Sequence, residues 1–478
     1  MTGLLANYDS GAGYDEVFER PGVPRASCVA LVKALEQLGP GDLADARRRA
    51  DVAFLNAGIT FTVYTESSGI ERIFPFDLVP RVIDATEWDK VERGLKQRVV
   101  ALNAFLQDVY NDQRIVLAGV IPAEAVFGSR NYQPAIRGFT PPNGVWIHVS
   151  GIDLVRDSDG TIYVLEDNVR TPSGVSYVIQ NRVISMRAFP RIYGGTPVRS
   201  VADYANRLHD TVKRCWPDGA AVVLTPGVYN SAYFEHSFLA KQMGVQLVEG
   251  RDMFVRGSEV GMKTTHGFEP VGAIYRRVDD EYLDPLNFLP DSTLGVPGLF
   301  ESYRAGKVCL VNGIGTGLAD DKSVYPYVPA MIRFYLGEEP ILPNVPTFRG
   351  ADPKDLDHML SHMAELVVKP ANASGGYGVV IGPAADERLL DRTAEAVKAD
   401  PAGFIAQPLI RLSTCPTLID GEFKPRRIDL RPFVLYDGVE PWVLPGGLTR
   451  VALQEGSFIV NSSQGGGSKD TWVLDGAA

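Results

Sequence analysis

Hydrophobic positions recur at three- and four-residue spacing over Cys28–Leu38 and again over Trp88–Tyr110, which predicts two helices. In the second, Val91, Leu95, Val99, Leu102, Phe105, Leu106 and Val109 form one stripe, most simply a core-packing face. A short β-like piece, Ile59–Tyr64, and the two-proline stretch FPFDLVPR lie between them, so residues 1–135 read as mainly helical. Two apolar runs, Val145–Val155 and Thr161–Leu165, flank Asp157-Ser158-Asp159-Gly160, and this pattern predicts a β-hairpin. From Ser176 to Trp216 the pattern is helical again, broken near Pro190–Pro197. AAVVLTPG, VQLVEG, VGAIYRR and KVCLVNG then read as strands, with a helical segment at Ala232–Met243, and such alternation predicts a parallel, Rossmann-like unit.

Beyond Arg349 a helix is expected at Asp355–Ala364 and another between 384 and 400. Strands are expected at VVKP, GFIAQPLI, RRIDLRPFVLYDG and PWVLPGGLTRVAL, while the glycines of the terminal NSSQGGGSKDTWVL predict a flexible loop. The fold class is α/β (α+β). Its expected parts are a helical region over 1–135, the hairpin and following helices over 136–218, the Rossmann-like unit over 219–348 and a final lobe over 349–478.

A chain of 478 residues exceeds the usual single-domain size, and its apolar share of 45% is enough for large cores. The net charge of −11 argues against a nucleic-acid-binding surface and requires that any anionic substrate meet a local cluster of basic groups. Cys28, Cys215, Cys309 and Cys415 form no CxxC pair and are expected to be buried free thiols. Neither a signal peptide nor a membrane-length apolar run is present, so the expected location is cytoplasmic.

Three stretches carry candidate chemistry. In the hairpin, Glu166 and Asn168 are two apart and share a face, and Asp153 lies close enough across the ladder to join them. Three hard oxygen ligands suit Mg²⁺, which leaves room for substrate phosphates, although an ordinary acidic hairpin accounts for the local pattern equally well. In VVKPANASGGYGVV, Lys369 ends a strand and is followed by a glycine-rich turn whose N–H groups can close over phosphate oxygens; a solvated lysine beside a turn is the alternative. Gly313, Gly315 and Gly317 suggest a dinucleotide loop, but Leu318 stands where that motif needs glycine and Asp320-Asp321 would repel a pyrophosphate. His358 and His362 have helical spacing without an HExxH acid and read as a solvated helix face.

Together these pieces resemble an ATP-grasp enzyme cut and rejoined. From residue 220 the order is the Rossmann-like unit, Asp321-Lys322, VVKP with its glycine loop, the hinge-like IAQPLI, Asp429-Leu430-Arg431, and LTRVALQEGSFIVNSSQGGG with Arg450 and Asn461. The piece usually found last, an Asp strand with an E-x-N hairpin, stands at the front as Asp153 with Glu166-Asp167-Asn168. The chain resembles the circularly permuted ATP-grasp family, related in arrangement to the synthetase domain of glutathionylspermidine synthase. That resemblance implies an ATP-dependent ligase that phosphorylates a small-molecule or peptide carboxylate and joins it to an amine. It implies ATP phosphates on Lys322 and Lys369, covered by Ser374, Gly375, Gly376, Tyr377 and Gly378, and adenine on the backbone of Gln407, Pro408 and Leu409. It further implies Mg²⁺ on Asp153, Glu166 and Asn168, charge neutralisation by Arg450 and Arg431, and Arg170 and Asn461 as substrate contacts. Arg170 pairing with Glu166, and Arg431 serving only as a partner of Asp429, are the structural alternatives. Arg276 and Arg277, at a strand C-terminus, are expected to bind the acceptor carboxylate. Two positions depart from the family pattern: Gly151 replaces an arginine two residues before the metal aspartate, and Gln407 replaces the hinge acid. Gly151 keeps a non-catalytic nucleotide-binding scaffold open as a rival reading; a simple phosphotransferase is the second.

Overall fold

The computed structural model describes residues 5, 7–11, 13–65, 68–73, 75–216, 218–371, 378–458, 460 and 466–476, with only the backbone over 60–65 and 68–73. The glycine-loop residues Ser374, Gly375, Gly376 and Tyr377, and also Asn461, lie outside the described residues.

Residues 76–81 of FPFDLVPR lie in a buried strand, β1 (Phe76–Ile83), within the region expected to be mainly helical. The helix α1 (Ala85–Val109) follows at once, capped by Asp84, whose carboxylate accepts the Thr86 N–H at 2.8 Å. The expected hairpin forms from β2 (Val149–Arg156) and β3 (Ile162–Asn168), with Gly160 at φ +88° closing the turn. These strands form one side of a four-stranded antiparallel sheet, and the Trp88, Val91, Leu95 and Val99 stripe of α1 covers Ile152, Leu154 and Val164. The alternate side chains of β2, Asp153 and Val155, therefore point the other way, into a cleft.

Two helices, α2 (Val175–Ala188) and α3 (Tyr204–Cys215), lead to the parallel part of a six-stranded sheet. It comprises β4 (Ala220–Leu224), β5 (Gln246–Val248), β6 (Gly267–Arg276) and β7 (Cys309–Val311) in the order β5-β4-β6-β7, with α4 (Tyr233–Met243) between β4 and β5. Alternation along these strands serves two cores. Val223, Ala273 and Tyr275 join Leu208, Val212 and Leu239 of α3 and α4, whereas Val222, Ile274 and Leu310 join Leu102, Phe105 and Val109 of α1. The glycine run behind β7 is a packing turn: Gly315, at φ +90°, donates its N–H to Asp280 at 2.8 Å, and its carbonyl accepts from the Tyr110 hydroxyl at 3.0 Å.

Sheet topology also corrects the expectation of four free cysteines. Cys215, at the end of α3, and Cys309, at the start of β7, form a disulfide with Cα atoms 6.0 Å apart, while Cys28 and Cys415 are free and buried. A sequence separation of 94 residues gives no local sign of that pairing.

In the final lobe, β8 (Leu366–Pro370) and β9 (Phe404–Pro408) pair antiparallel, with Val367 opposite Gln407. Further on, β10 (Phe433–Leu435) joins β2, and β11 (Thr449–Val451) pairs with β12 (Gly467–Val473). The terminal stretch is thus no loop from Gly467 onward. It is a fully buried strand running parallel to β1, and a register shift between Lys469 and Thr471 accommodates Pro80 of the partner strand. Its charged residues are matched inside. The Lys469 ammonium is fully buried, pairs with Asp77 and donates to the Val79 and Pro416 carbonyls at 3.2 and 2.8 Å. Asp470 accepts from Arg182 at 2.9 Å and from the Trp472 indole at 2.6 Å.

Lys469→Met would strand the Asp77 charge in the core and is expected to cost about 3–5 kcal/mol. Lys424→Met, at a half-exposed pair with Glu422, should stay within about 0.5 kcal/mol. Denaturant midpoints of the two variants check this, and equal midpoints would contradict the buried pairing.

Candidate active site

The cleft, of about 260 Å³, lies between the hairpin and the β8–β9 lobe. Asp153 and Glu166 are direct cross-strand partners, and Gly151 stands opposite Asn168, so the three candidate metal ligands share one face. A bulge at Leu165, between the Asp153–Glu166 and Leu154–Val164 pairs, turns an apolar side chain into the same cleft. Burial, then the neighbouring Glu166, pushes the Asp153 carboxyl well above the usual carboxylate range, although Arg431 opposes the shift. Burial would raise Glu166 too, but Lys322, Lys369 and Arg431 outweigh it and hold that carboxyl below its ordinary value. The two acids on facing strands are thus pushed in opposite directions, and a hard cation between them would offset their mutual repulsion. The donor set of two carboxylates and the Asn168 amide suits Mg²⁺ in particular.

Cations ring this pair. Lys322 stands 4.0 Å from Glu166, and Arg431 reaches Asp153 at 3.1 Å while holding Asp429 at 2.9 Å. Arg431 is therefore neither a purely structural partner of Asp429 nor detached from it. Asp429 positions two arginines at once, because its second oxygen accepts the Arg450 backbone N–H at 3.1 Å. Burial and the charge of Arg431 push Arg450 down to about 10. At the lobe, Lys369 donates to the Gln407 side chain at 2.6 Å, and Gln407 in turn donates to Thr347 at 2.9 Å. Burial pushes the Lys369 ammonium down to about 8, with Glu166 opposing. Pro408, Leu409, Val367, Ile381 and Phe458 supply the apolar wall.

The hairpin is anchored from its opposite face. Asp167, between Glu166 and Asn168, takes a two-pronged grip from the buried Arg98 of α1 at 2.6 and 2.7 Å. Asn312, just after β7, accepts the His148 and Val149 N–H groups at 2.8 Å and donates to the Val149 and Val169 carbonyls at 2.6 and 2.7 Å. Glu235 of α4 accepts from the Gly174 and Ser176 N–H groups at 2.8 and 2.9 Å, which fixes the loop behind the hairpin.

The sequence profile of the circularly permuted ATP-grasp type 2 family matches residues 80–452. The chain belongs to this family. It is 50% identical to an uncharacterized protein of Synechocystis sp. over 99% of each chain, and 52% identical to one of Mycobacterium tuberculosis over 96% of this chain and 84% of that protein. A Frankia alni protein, named provisionally as glutamate–cysteine ligase 2-3, is 42% identical over 98% of this chain, which spans 54% of that protein's length. In fold, the chain is similar to a glutathione synthetase-like effector from Globodera pallida, with a TM-score of 0.58 and 11% identity over 92% of this chain and 98% of the other.

Within this ATP-grasp chain, Asp153, Glu166, Asn168, Lys322, Lys369, Gln407, Pro408, Leu409 and Arg431 all line the one cleft. Gly378 follows the undescribed part of the glycine loop and adopts φ +72°. A Cβ at Gly151 would meet the Pro172 side chain at 3.2 Å, so a larger residue there needs that ring to give way slightly, and Asp153 is paired with Arg431. Arg170 does not pair with Glu166 but lies 3.5 and 3.7 Å from Asp279 and Asp320. The expectation for Arg276 fails: its guanidinium is fully buried, donates to the Asn312, Val278 and Gly313 carbonyls and pairs with Asp280 at 2.6 Å, and it does not line the cleft. Arg277 is also buried; it donates to the Tyr275 hydroxyl and the Thr171 carbonyl at 3.1 and 3.2 Å, and its Nε has no partner among the described residues. Asn312, Glu235 and Arg98 were not anticipated as supports and carry no sequence signal, whereas Asp429 was expected as a partner of Arg431.

Phosphate oxygens favour the Lys369 ammonium, which is held below a pH of about 8 and lost above it. Affinity for ATP should therefore fall as pH rises through about 8, with a proton taken up on binding in that range. Lys369→Arg should flatten the dependence, and Lys369→Met should weaken binding roughly 10–100-fold, the worth of a charge-assisted hydrogen bond. Calorimetry across pH checks this, and a flat wild-type profile would contradict it.

Proposed function

We propose that this chain is an ATP-dependent ligase joining a carboxylate to an amine through an acyl phosphate. The observation that carries the reading is the Asp153–Glu166 pair facing Lys322, Lys369 and Arg431 across one cleft, with the β9 segment at its rim. The names of the Frankia and Globodera proteins support that class, although the amino-acid specificity of the former is not carried over from a match spanning 54% of it.

In this mechanism Lys322 and Lys369 bind the phosphates, and the backbone of Gln407–Leu409 receives the adenine between the apolar walls. Asp153, Glu166 and Asn168 would hold a Mg²⁺ ion, which would supply charge neutralisation to the phosphates. The substrate carboxylate attacks the γ-phosphorus and ADP leaves; the amine then attacks the acyl carbon and phosphate leaves. Arg431 and Arg450 face the transferred group and offset its charge, so catalysis is positioning and preorganised electrostatics. The parallel sheet fits the Rossmann-like pre-ATP-grasp unit over 219–348, with the nucleotide lobe at 349–478. The cytoplasm, where ATP is plentiful, is the fitting compartment, and the acidic chain charge does not suit nucleic acid.

The test is phosphate release from Mg-ATP across pooled acids, amino acids and polyamines, with hydroxylamine added to trap an acyl phosphate. Turnover should require both an acid and an amine, and Glu166→Gln should lower it about 10²–10³-fold. ATP binding without turnover in any pool would favour the scaffold that Gly151 brings to mind. Phosphorylation of a single acceptor with no amine would favour a phosphotransferase.

A further inference from the structure

We propose that His148, Cys215 and Cys309 form a second metal site, which takes Zn²⁺ when the cysteine pair is reduced. Their ligand atoms all lie within 4.8 Å of one another, and three separate elements supply them: the residue before β2, the end of α3 and the start of β7. All three side chains are buried, at 2%, 5% and 0% exposure. A disulfide beside a core histidine would account for the sulfurs alone. It leaves the Nδ1 of His148 buried without a hydrogen-bond partner among the described residues, which is the state expected of a ring nitrogen awaiting a ligand.

Two sulfurs and one imidazole select a thiophilic cation over Mg²⁺, so this site and the oxygen-lined cleft discriminate by ligand chemistry. The disulfide must first open. A dithiol reductant supplies two electrons and two protons, giving two thiols as the reductant closes to its own disulfide. Zinc binding then displaces both thiol protons and forms two zinc–thiolate bonds with the imidazole as third ligand, leaving a fourth position for water. Cys28 and Cys415 are no competitors: burial pushes the first thiol up to about 12 and the second higher still, and neither has a cysteine partner. The location gives the site a consequence, because Asn312, which carries the hairpin, follows Cys309 by three residues and binds the backbone N–H of His148 itself. The proposal stands apart from the ligase reading.

The full chain, reduced with dithiothreitol or oxidised with diamide, is exchanged into Zn²⁺ and its bound zinc counted by mass spectrometry. Co²⁺ in place of Zn²⁺ reads sulfur ligation through its thiolate charge-transfer band. The reduced chain should hold one equivalent and show the band, and the oxidised chain neither. His148→Gln should weaken binding about tenfold or more, and Cys215→Ser should lose the band. A reduced wild-type chain that retains no zinc, or binds cobalt without the band, overturns the proposal. Because reduced and oxidised wild type are compared directly, a variant that misfolds does not shelter it.

Discussion

Side chains on a β-strand alternate between two faces, and the hairpin of β2 and β3 places charge on both. Glu166 and Asn168 look into the cleft beside Asp153, while Asp167 between them looks back at Arg98. A slip of one residue would put Asp167 into the cleft and bury Glu166 against α1, so the whole site rests on one register. That register is over-determined. Arg98 holds it from the helix, Asn312 from the parallel sheet, and β10 through the backbone. The cleft can then afford two neighbouring acids, because rigid surroundings keep them together when their own repulsion would part them.

Away from the cleft, Lys469 is matched by Asp77 and Arg276 by three carbonyls. In the cleft the groups are shifted in opposite directions: Asp153 up, Lys369 down, Glu166 below its ordinary value. Such divergence between neighbouring groups is common at functional sites, where burial and nearby charge are set against each other. The strand β12 adds a topological point, for it joins the end of the chain to β1 near the start, in one sheet.

Much of this was legible in sequence. The Asp-Ser-Asp-Gly turn and alternating runs gave the hairpin, VVKP gave the lysine strand, and the cyclic order of weak motifs gave the family. What was not legible has physical causes. GSKDTWV looks like exposed loop because Lys and Asp are seldom buried, and only Asp77, Arg182 and the Trp472 indole make that strand possible. Pro80 lies within β1, and a register shift in the partner strand tolerates it. The Cys215–Cys309 pairing and the grip of Asn312 on the hairpin depend on contacts between residues far apart in sequence, about which local pattern is silent. Arg276 misled because a strand-end arginine near a ligand-binding edge looks the same whether it faces solvent or carbonyls.

The central claim is that one magnesium nucleotide is held jointly by the hairpin and the lysine strand. A crystal structure with a non-hydrolysable ATP analogue and Mg²⁺ tests it most directly. The account predicts the metal coordinated by Asp153 and Glu166 and the same triphosphate hydrogen-bonded to Lys369. A nucleotide seated away from this cleft, or one whose phosphates meet only one of the two groups, would contradict it.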